Sequence, residues 1–100
     1  MSRGYAFRPE ARDELREAVR FYEREAKGLG AELAAEVRAV VESIAANPNA
    51  GSPFEARTRR KLLPRFPYSI IYLDESGRLD VIAVMHHRRE PGYWTDRFGQ

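Results

Sequence analysis

Residues 69–85 hold two short, almost wholly apolar runs, Ser69-Ile70-Ile71-Tyr72-Leu73 and Val81-Ile82-Ala83-Val84-Met85, with Asp74-Glu75-Ser76-Gly77-Arg78 between them. β-Branched and aromatic residues suit a pleated surface. Runs without polar alternation belong to central strands covered, at least in part, on both faces. Asp74 to Arg78 read as a hairpin turn with Gly77 in the left-handed region. A chain containing such a hairpin has to supply its cover from elsewhere in the sequence.

Residues 9–46 supply it. Pro9 suits a first helical position, where its missing N–H costs nothing. Glu10, Asp13 and Glu14 crowd a first turn, where the helix dipole favours anions. Ala11, Leu15, Ala18, Val19 and Tyr22 recur at spacings of three and four, which predicts a helix with one apolar face. Lys27-Gly28-Leu29-Gly30 is expected to end it, with glycine at the C-cap. Leu33, Val37, Val40, Val41 and Ile44 repeat the pattern until Asn47-Pro48-Asn49 stops it. Two such helices with a short link predict an antiparallel αα-hairpin whose stripes are core. Phe21, next to Tyr22, cannot face wholly the same way and is expected at the stripe's edge.

Gly4 to Arg8 predicts a first strand, and residues 49–56 a loop rich in Gly, Ser and Pro. A strand over 57–63 is followed by Pro64 and Pro67, which mark an edge-like connection because proline cannot donate to a ladder. The hairpin strands fall at 68–74 and 79–86. The order β-α-α-β-β-β predicts an α+β fold: a mostly antiparallel four-stranded sheet with an αα-hairpin packed on one face. The opposite face is expected to be open, concave and edged by arginines, free to dock a macromolecule.

The length fits a single domain over residues 1–100. There is no cysteine, which excludes disulfides and thiolate metal sites. No apolar run approaches the roughly 20 residues that span a bilayer, and the first residues lack a hydrophobic signal region. A cytoplasmic protein without membrane association is expected. The net charge is +2, unevenly spread: −1 over residues 1–50 and +3 over residues 51–100. Arg57, Arg59, Arg60, Lys61 and Arg65 form a run without an acid. Such a run is a solvated face or a footprint for phosphate or an acidic partner.

The second cationic cluster, His86-His87-Arg88-Arg89, leads into Glu90-Pro91-Gly92-Tyr93-Trp94. Adjacent histidines at a strand end point to opposite faces. With no further ligand pair in the sequence, no metal and no cofactor is expected. Ser69 and His86 lie in no recognisable nucleophile motif. Metal-free RNA cleavage needs a base, an acid and cations around the phosphorane. Lys61, Arg65, Arg88 and Arg89 could supply charge, His86, His87 or Tyr93 could move protons, and Tyr93 or Trp94 could stack a base. The competing reading has Tyr93 and Trp94 closing the end of the core while the arginines face water.

Arg65-Phe66-Pro67-Tyr68-Ser69-Ile70-Ile71-Tyr72, followed by Val84-Met85 and the stretch from His86 to Trp94, resembles the RelE/ParE family of toxins of bacterial type II toxin–antitoxin systems, closer to its ParE-like branch. The resemblance runs over nearly the whole chain. It implies a growth-inhibiting toxin, of the kind linked to plasmid stabilisation, neutralised by a cognate antitoxin. That antitoxin is expected to be of the ribbon-helix-helix, ParD-like type, folding its C-terminal segment onto the toxin. The ParE-like branch inhibits DNA gyrase; the RelE-like branch cleaves mRNA on the ribosome. The resemblance places the nuclease branch's catalytic arginine on Ser69, its strand lysines on Arg60 and Leu62, its late arginine on His87, one place before Arg88, and its terminal tyrosine on Tyr93.

Three functions follow as expectations: a ParE-like inhibitor of DNA gyrase, a RelE-like ribosome-dependent endoribonuclease, or an inert relative that only binds antitoxin. For the nuclease, the site would be drawn from Arg60, Lys61, Arg65, His87, Arg88 and Tyr93. For target or antitoxin binding, it would be drawn from Phe21, Tyr22, Arg57, Arg59, Arg60, Lys61, His86, Arg89 and Trp94. The antitoxin is expected to cover the αα-hairpin and the open sheet face.

Overall fold

The computed structural model describes residues 4–75, 77–90 and 92–97. Ser76 of the predicted turn and Pro91 of the tail motif lie outside the described residues. The first strand, β1 (Gly4–Phe7), leads through extended Arg8 into α1 (Pro9–Glu25), with Pro9 in the first turn. The second helix, α2 (Leu29–Ala46), ends at Asn47 before Pro48.

The link between the helices departs from expectation. The first helix ends on extended Ala26, and the left-handed residue, Gly28 (φ 87°), is the N-cap of α2 rather than the C-cap of α1. Glu23 explains the arrangement. Its carboxylate accepts from the Gly28 N–H at 2.8 Å and the Gly30 N–H at 3.0 Å. It thereby satisfies donors that a helix start leaves orphaned and places an anion at the positive end of the dipole. Gly30 is buried against α1, and a Cβ there would overlap the Val19 carbonyl. The start of α2 therefore lies against the end of α1, as an antiparallel hairpin requires.

The remaining strands are β2 (Ser52–Pro53), β3 (Arg59–Leu62), β4 (Tyr68–Glu75) and β5 (Arg78–His86). They form a five-stranded mixed sheet in the order β1-β5-β4-β3-β2. The pairing is mostly antiparallel, as expected, but the sheet has five strands rather than four, and one pair is parallel. The first strand runs parallel to β5, from Gly4 opposite Arg78 to Phe7 opposite Val81. Ser52 and Pro53 pair with Arg60 and Arg59, and two residues are too few to show a strand period. Gly77 closes the β4–β5 hairpin with φ 74°.

One face of the sheet carries Ile70, Tyr72, Leu79, Val81 and Val84 beneath Leu33, Val37, Val41 and Ile44 of α2 and Ala11 and Ala18 of α1. On β5 the alternation then slips. Ile71 pairs with Ala83 and Tyr72 with Val81, so Ile82 is an extra residue. This bulge turns both Ile82 and Ala83 to the opposite face, where they join Ile71, Leu73, Met85 and Trp94.

That opposite face is not open. Ile71, Ile82, Ala83 and Trp94 are fully buried. The cover comes from the chain itself: the Trp94 indole and the Phe54 ring stack at 5.9 Å between centroids. The sheet face therefore offers no bare concave surface, and the expectation that a partner lies on it is withdrawn. Burying a large apolar side chain stabilises by roughly 1.5–3 kcal/mol. Leaving this row of Ile, Leu and Met residues in water would thus forfeit several such contributions, and two aromatic rings from the irregular segments prevent it.

Candidate protein-binding surface

The predicted functional residues separate onto the two sides of the sheet. On the β5 side, β1 pairs only as far as Val81, so the second half of β5 has no strand on its outer edge. Two side chains finish this edge. Glu14 of α1 accepts from the Val84 N–H at 3.0 Å, and the Arg97 guanidinium donates to the Ile82 carbonyl at 3.2 Å. They grip each other through paired bonds of 2.9 Å. Two-pronged Arg–carboxylate contacts are the strong class of ion pair, and both side chains are mostly buried. Tyr93 donates its hydroxyl to the same carboxylate at 2.6 Å. Burial and the Glu14 contact hold the Tyr93 hydroxyl far above its ordinary range.

This clamp fixes the segment from Gly92 to Arg97 and so seats Trp94. Of the two readings of Trp94, a binding or base-stacking surface and the end of the core, the structure has the second: Trp94 is fully buried. Tyr93 is held as a hydrogen-bond donor, which makes it a poor proton acceptor. Glu14 and Arg97 were not singled out as site residues. The available signal was Glu14 three residues after Ala11 and four before Ala18, a carboxylate on the border of the apolar stripe. Nothing local marked Arg97 as its partner.

Above the clamp a groove of about 270 Å³ brings together Phe21, Tyr68, His86, Arg89 and Tyr93, with Glu17 on its α1 rim. Phe21 is 48% exposed, as its position beside the stripe implied. Tyr22 is half-buried and packs edge-on against Phe66 at 5.1 Å. His86 stands edge-on to Tyr68 at 5.0 Å, and its Nδ1 accepts the Arg88 N–H at 3.0 Å. Burial, reinforced by the Arg88 and His87 charges, lowers the His86 pKa. Arg89 lies over the Tyr93 ring at 3.8 Å, a cation–π contact.

His87 points to the other side of the strand end. Its Nε2 is 3.1 Å from the Oγ of Ser69, which is fully buried. The residues onto which the resemblance placed two arginines of the nuclease branch thus touch each other, and neither carries a guanidinium. Arg88 is exposed.

The second group of cations lies on the β3 side, and most of it is engaged within the chain. Arg59 donates to the Gly51 carbonyl at 2.6 Å. Arg60 covers the Phe54 ring at 4.7 Å. Arg65 pairs with Glu32 at 2.8 Å and lies over Phe66. Glu36 accepts from the backbone N–H groups of Arg65 and Phe66. Arg57 and Lys61 have no hydrogen-bond or ion-pair partner among the described residues, so the expected five-cation footprint reduces to two free cations. Arg57 sits in the β2–β3 turn, where both central residues are left-handed (Ala56 φ 54°, Arg57 φ 66°). The Thr58 N–H closes the turn onto the Glu55 carbonyl at 3.1 Å. Such hairpin turns favour Asn-Gly at these places.

Among the described residues, no group of three or more side chains suited to hold a metal ion comes together, and no helix is long and apolar enough to cross a membrane.

The fold is shared with a solved structure described as the chromosomal ParDE TA system from P. aeruginosa. It superposes with a TM-score of 0.65 at 19% identity, covering 85% of this chain and 96% of that one. A comparison with curated protein sequences finds no match. The family model for the ParE toxin of the type II toxin-antitoxin system, parDE, matches residues 5–91, and the chain belongs to that family of toxins.

Proposed function

We propose that this toxin acts by binding another protein, with DNA gyrase as its target, and that a cognate ParD-like antitoxin of the ribbon-helix-helix type holds it inactive in the cytoplasm. The surfaces used are the groove around Phe21, His86 and Arg89 on the β5 side and the edge carrying Arg57 and Lys61 on the β3 side. The observation that carries the reading against RNA cleavage is the Ser69–His87 contact at 3.1 Å. Where metal-free phosphoryl chemistry needs fixed, always-charged groups, this chain has a buried hydroxyl on an imidazole. Tyr93 supports the same reading, since its hydroxyl is committed to Glu14.

Purified toxin, assayed for inhibition of gyrase supercoiling and separately for cleavage of mRNA on translating ribosomes, tests the proposal. Supercoiling inhibition with intact mRNA is expected. Ribosome-dependent cleavage that disappears in Arg88→Ala would overturn it, and antitoxin binding with neither activity would leave the inert relative.

A further inference from the structure

The C-terminal half of α1 carries Glu17, Arg20, Phe21 and Arg24. At about 100° per residue, these four fall within one arc of about 100° on the helix surface. They line a groove of about 380 Å³. It shares Glu17 and Phe21 with the groove of about 270 Å³ that runs on to Tyr68, His86, Arg89 and Tyr93. The two make one surface from the end of α1 to the end of β5. Phe21 belongs to both, is 48% exposed, and has its ring edge-on to Tyr22 at 5.1 Å between centroids.

The charges of this surface do not cancel. Arg20, Arg24 and Arg89 line it against Glu14 and Glu17, and Glu14 is already bound to Arg97. Counting Arg97, four cations meet two anions, a net of +2. Neither Arg20 nor Arg24 has an ion-pair or hydrogen-bond partner among the described residues. They stand at i and i+4, where like charges repel across one helical turn. An anion brought from outside would relieve that repulsion. The Arg89 guanidinium lies on the Tyr93 ring and donates to no acceptor among the described residues.

Glu17 narrows the class of occupant. It lines both grooves, so a continuous row of phosphates running from Arg24 to Arg89 would meet a carboxylate. A protein surface places its acids singly and can set an apolar side chain against Phe21. Exposed aromatic and arginine side chains together are the usual anchors of such contacts.

We infer that this surface grips an acidic patch on the toxin's target, with carboxylates on Arg20 and Arg24 and an apolar side chain against Phe21. The inference rests on the gyrase reading above and names the contact that it would use.

The probe is purified gyrase in a supercoiling assay, with each toxin variant titrated in. Arg20, Phe21, Arg24 and Arg38 are all exposed, so substitutions there should leave the thermal midpoint close to that of the unaltered toxin. Arg20→Glu and Arg24→Glu are each expected to raise the concentration for half-inhibition by about tenfold or more, because they set like charges face to face. Phe21→Ser is expected to raise it by about tenfold, the loss that truncating an aromatic anchor brings. Arg38→Glu makes the same charge change on α2, outside both grooves, and should leave inhibition within about twofold. Shifts in the three groove variants no larger than in Arg38→Glu overturn the inference while gyrase stays the target. Absence of inhibition by the unaltered toxin sinks the gyrase reading, and the inference falls with it. Loss of antitoxin binding in the groove variants, with inhibition unchanged, would give the surface to the antitoxin and overturn the inference. Binding of the toxin to a DNA duplex without gyrase, abolished in Arg20→Glu and Arg24→Glu with inhibition unchanged, would give the arginines to phosphate and overturn it too.

Discussion

The two faces of the sheet are closed by different means. The first is covered by α1 and α2, regular elements whose apolar residues recur along the sequence at helical spacing. The second is covered by Phe54 and Trp94, two rings delivered by irregular segments forty residues apart and brought within 5.9 Å of each other. The first cover rests on many medium-sized contacts distributed over two helices. The second hangs on one tryptophan and on the Glu14–Arg97 clamp that seats it. A domain of this size thus leaves neither face free, and recognition moves to the rims, where Phe21, Arg57, Lys61 and Leu62 are exposed or unpartnered.

Removing Trp94 should break this comparison most severely. Trp94→Ala is expected to destabilise the fold by about 3–5 kcal/mol, as much as a large truncation under the helices, and denaturant unfolding monitored by circular dichroism would measure it. A loss below about 1 kcal/mol would mean that the second face does not depend on the ring. Glu14→Ala comes next, because it leaves Arg97 unpaired against the Ile82 carbonyl and frees the Val84 N–H and the Tyr93 hydroxyl at once. A loss of about 3 kcal/mol is expected, in line with breaking one partner of a mostly buried pair. It should be accompanied by faster amide exchange over residues 92–97 than in α2.

The covers also differ in how far they could be read from residues. Periodicity located both helices to within a few positions, and the contiguous apolar runs located β4 and β5. The second cover left no such trace. Phe54 sits in a segment rich in Gly, Ser and Pro, where no period exists. Trp94 was legible only as one of two readings of an aromatic tail. The bulge at Ile82 was hidden, because a run without alternation looks the same whichever residues face which side. The parallel β1 pairing and the two-residue β2 are tertiary choices that local patterns do not encode. Of the candidate site, the exposure of Phe21 followed from its place beside Tyr22. The basic run did not separate into engaged and free cations, since the partners of Arg59, Arg60 and Arg65 lie on the Gly51 carbonyl, Phe54 and Glu32.

Two smaller effects sharpen the view that function lies on the rims. Arg57→Gly should raise stability by about 1 kcal/mol, because a left-handed residue with a side chain carries a penalty of that order. The thermal midpoint should rise by about 4–8 °C, following the scaling for domains of this size. An unchanged midpoint would mean that the turn is not held in this conformation. Weaker partner binding in the same variant would identify Arg57 as a cation kept at the expense of stability. The smallest effect concerns His86. Its depressed pKa means that the unfolded chain binds the proton more readily than the folded one. Its contribution is therefore complete above the unfolded value of about 6.5 and is lost as pH falls toward the folded value. Unfolding free energy should climb as pH rises from below toward about 6.5, and the climb should be shallower in His86→Gln. Equal slopes in the two proteins would remove His86 as its source.

Fluorescence of the single tryptophan, with acrylamide as quencher, tests most directly whether the chain itself seals the second face. A blue-shifted, poorly quenched Trp94 is predicted in the free toxin, with no further protection when antitoxin is added. A red-shifted, readily quenched Trp94 that becomes protected only in the complex would contradict the account and return that face to the partner.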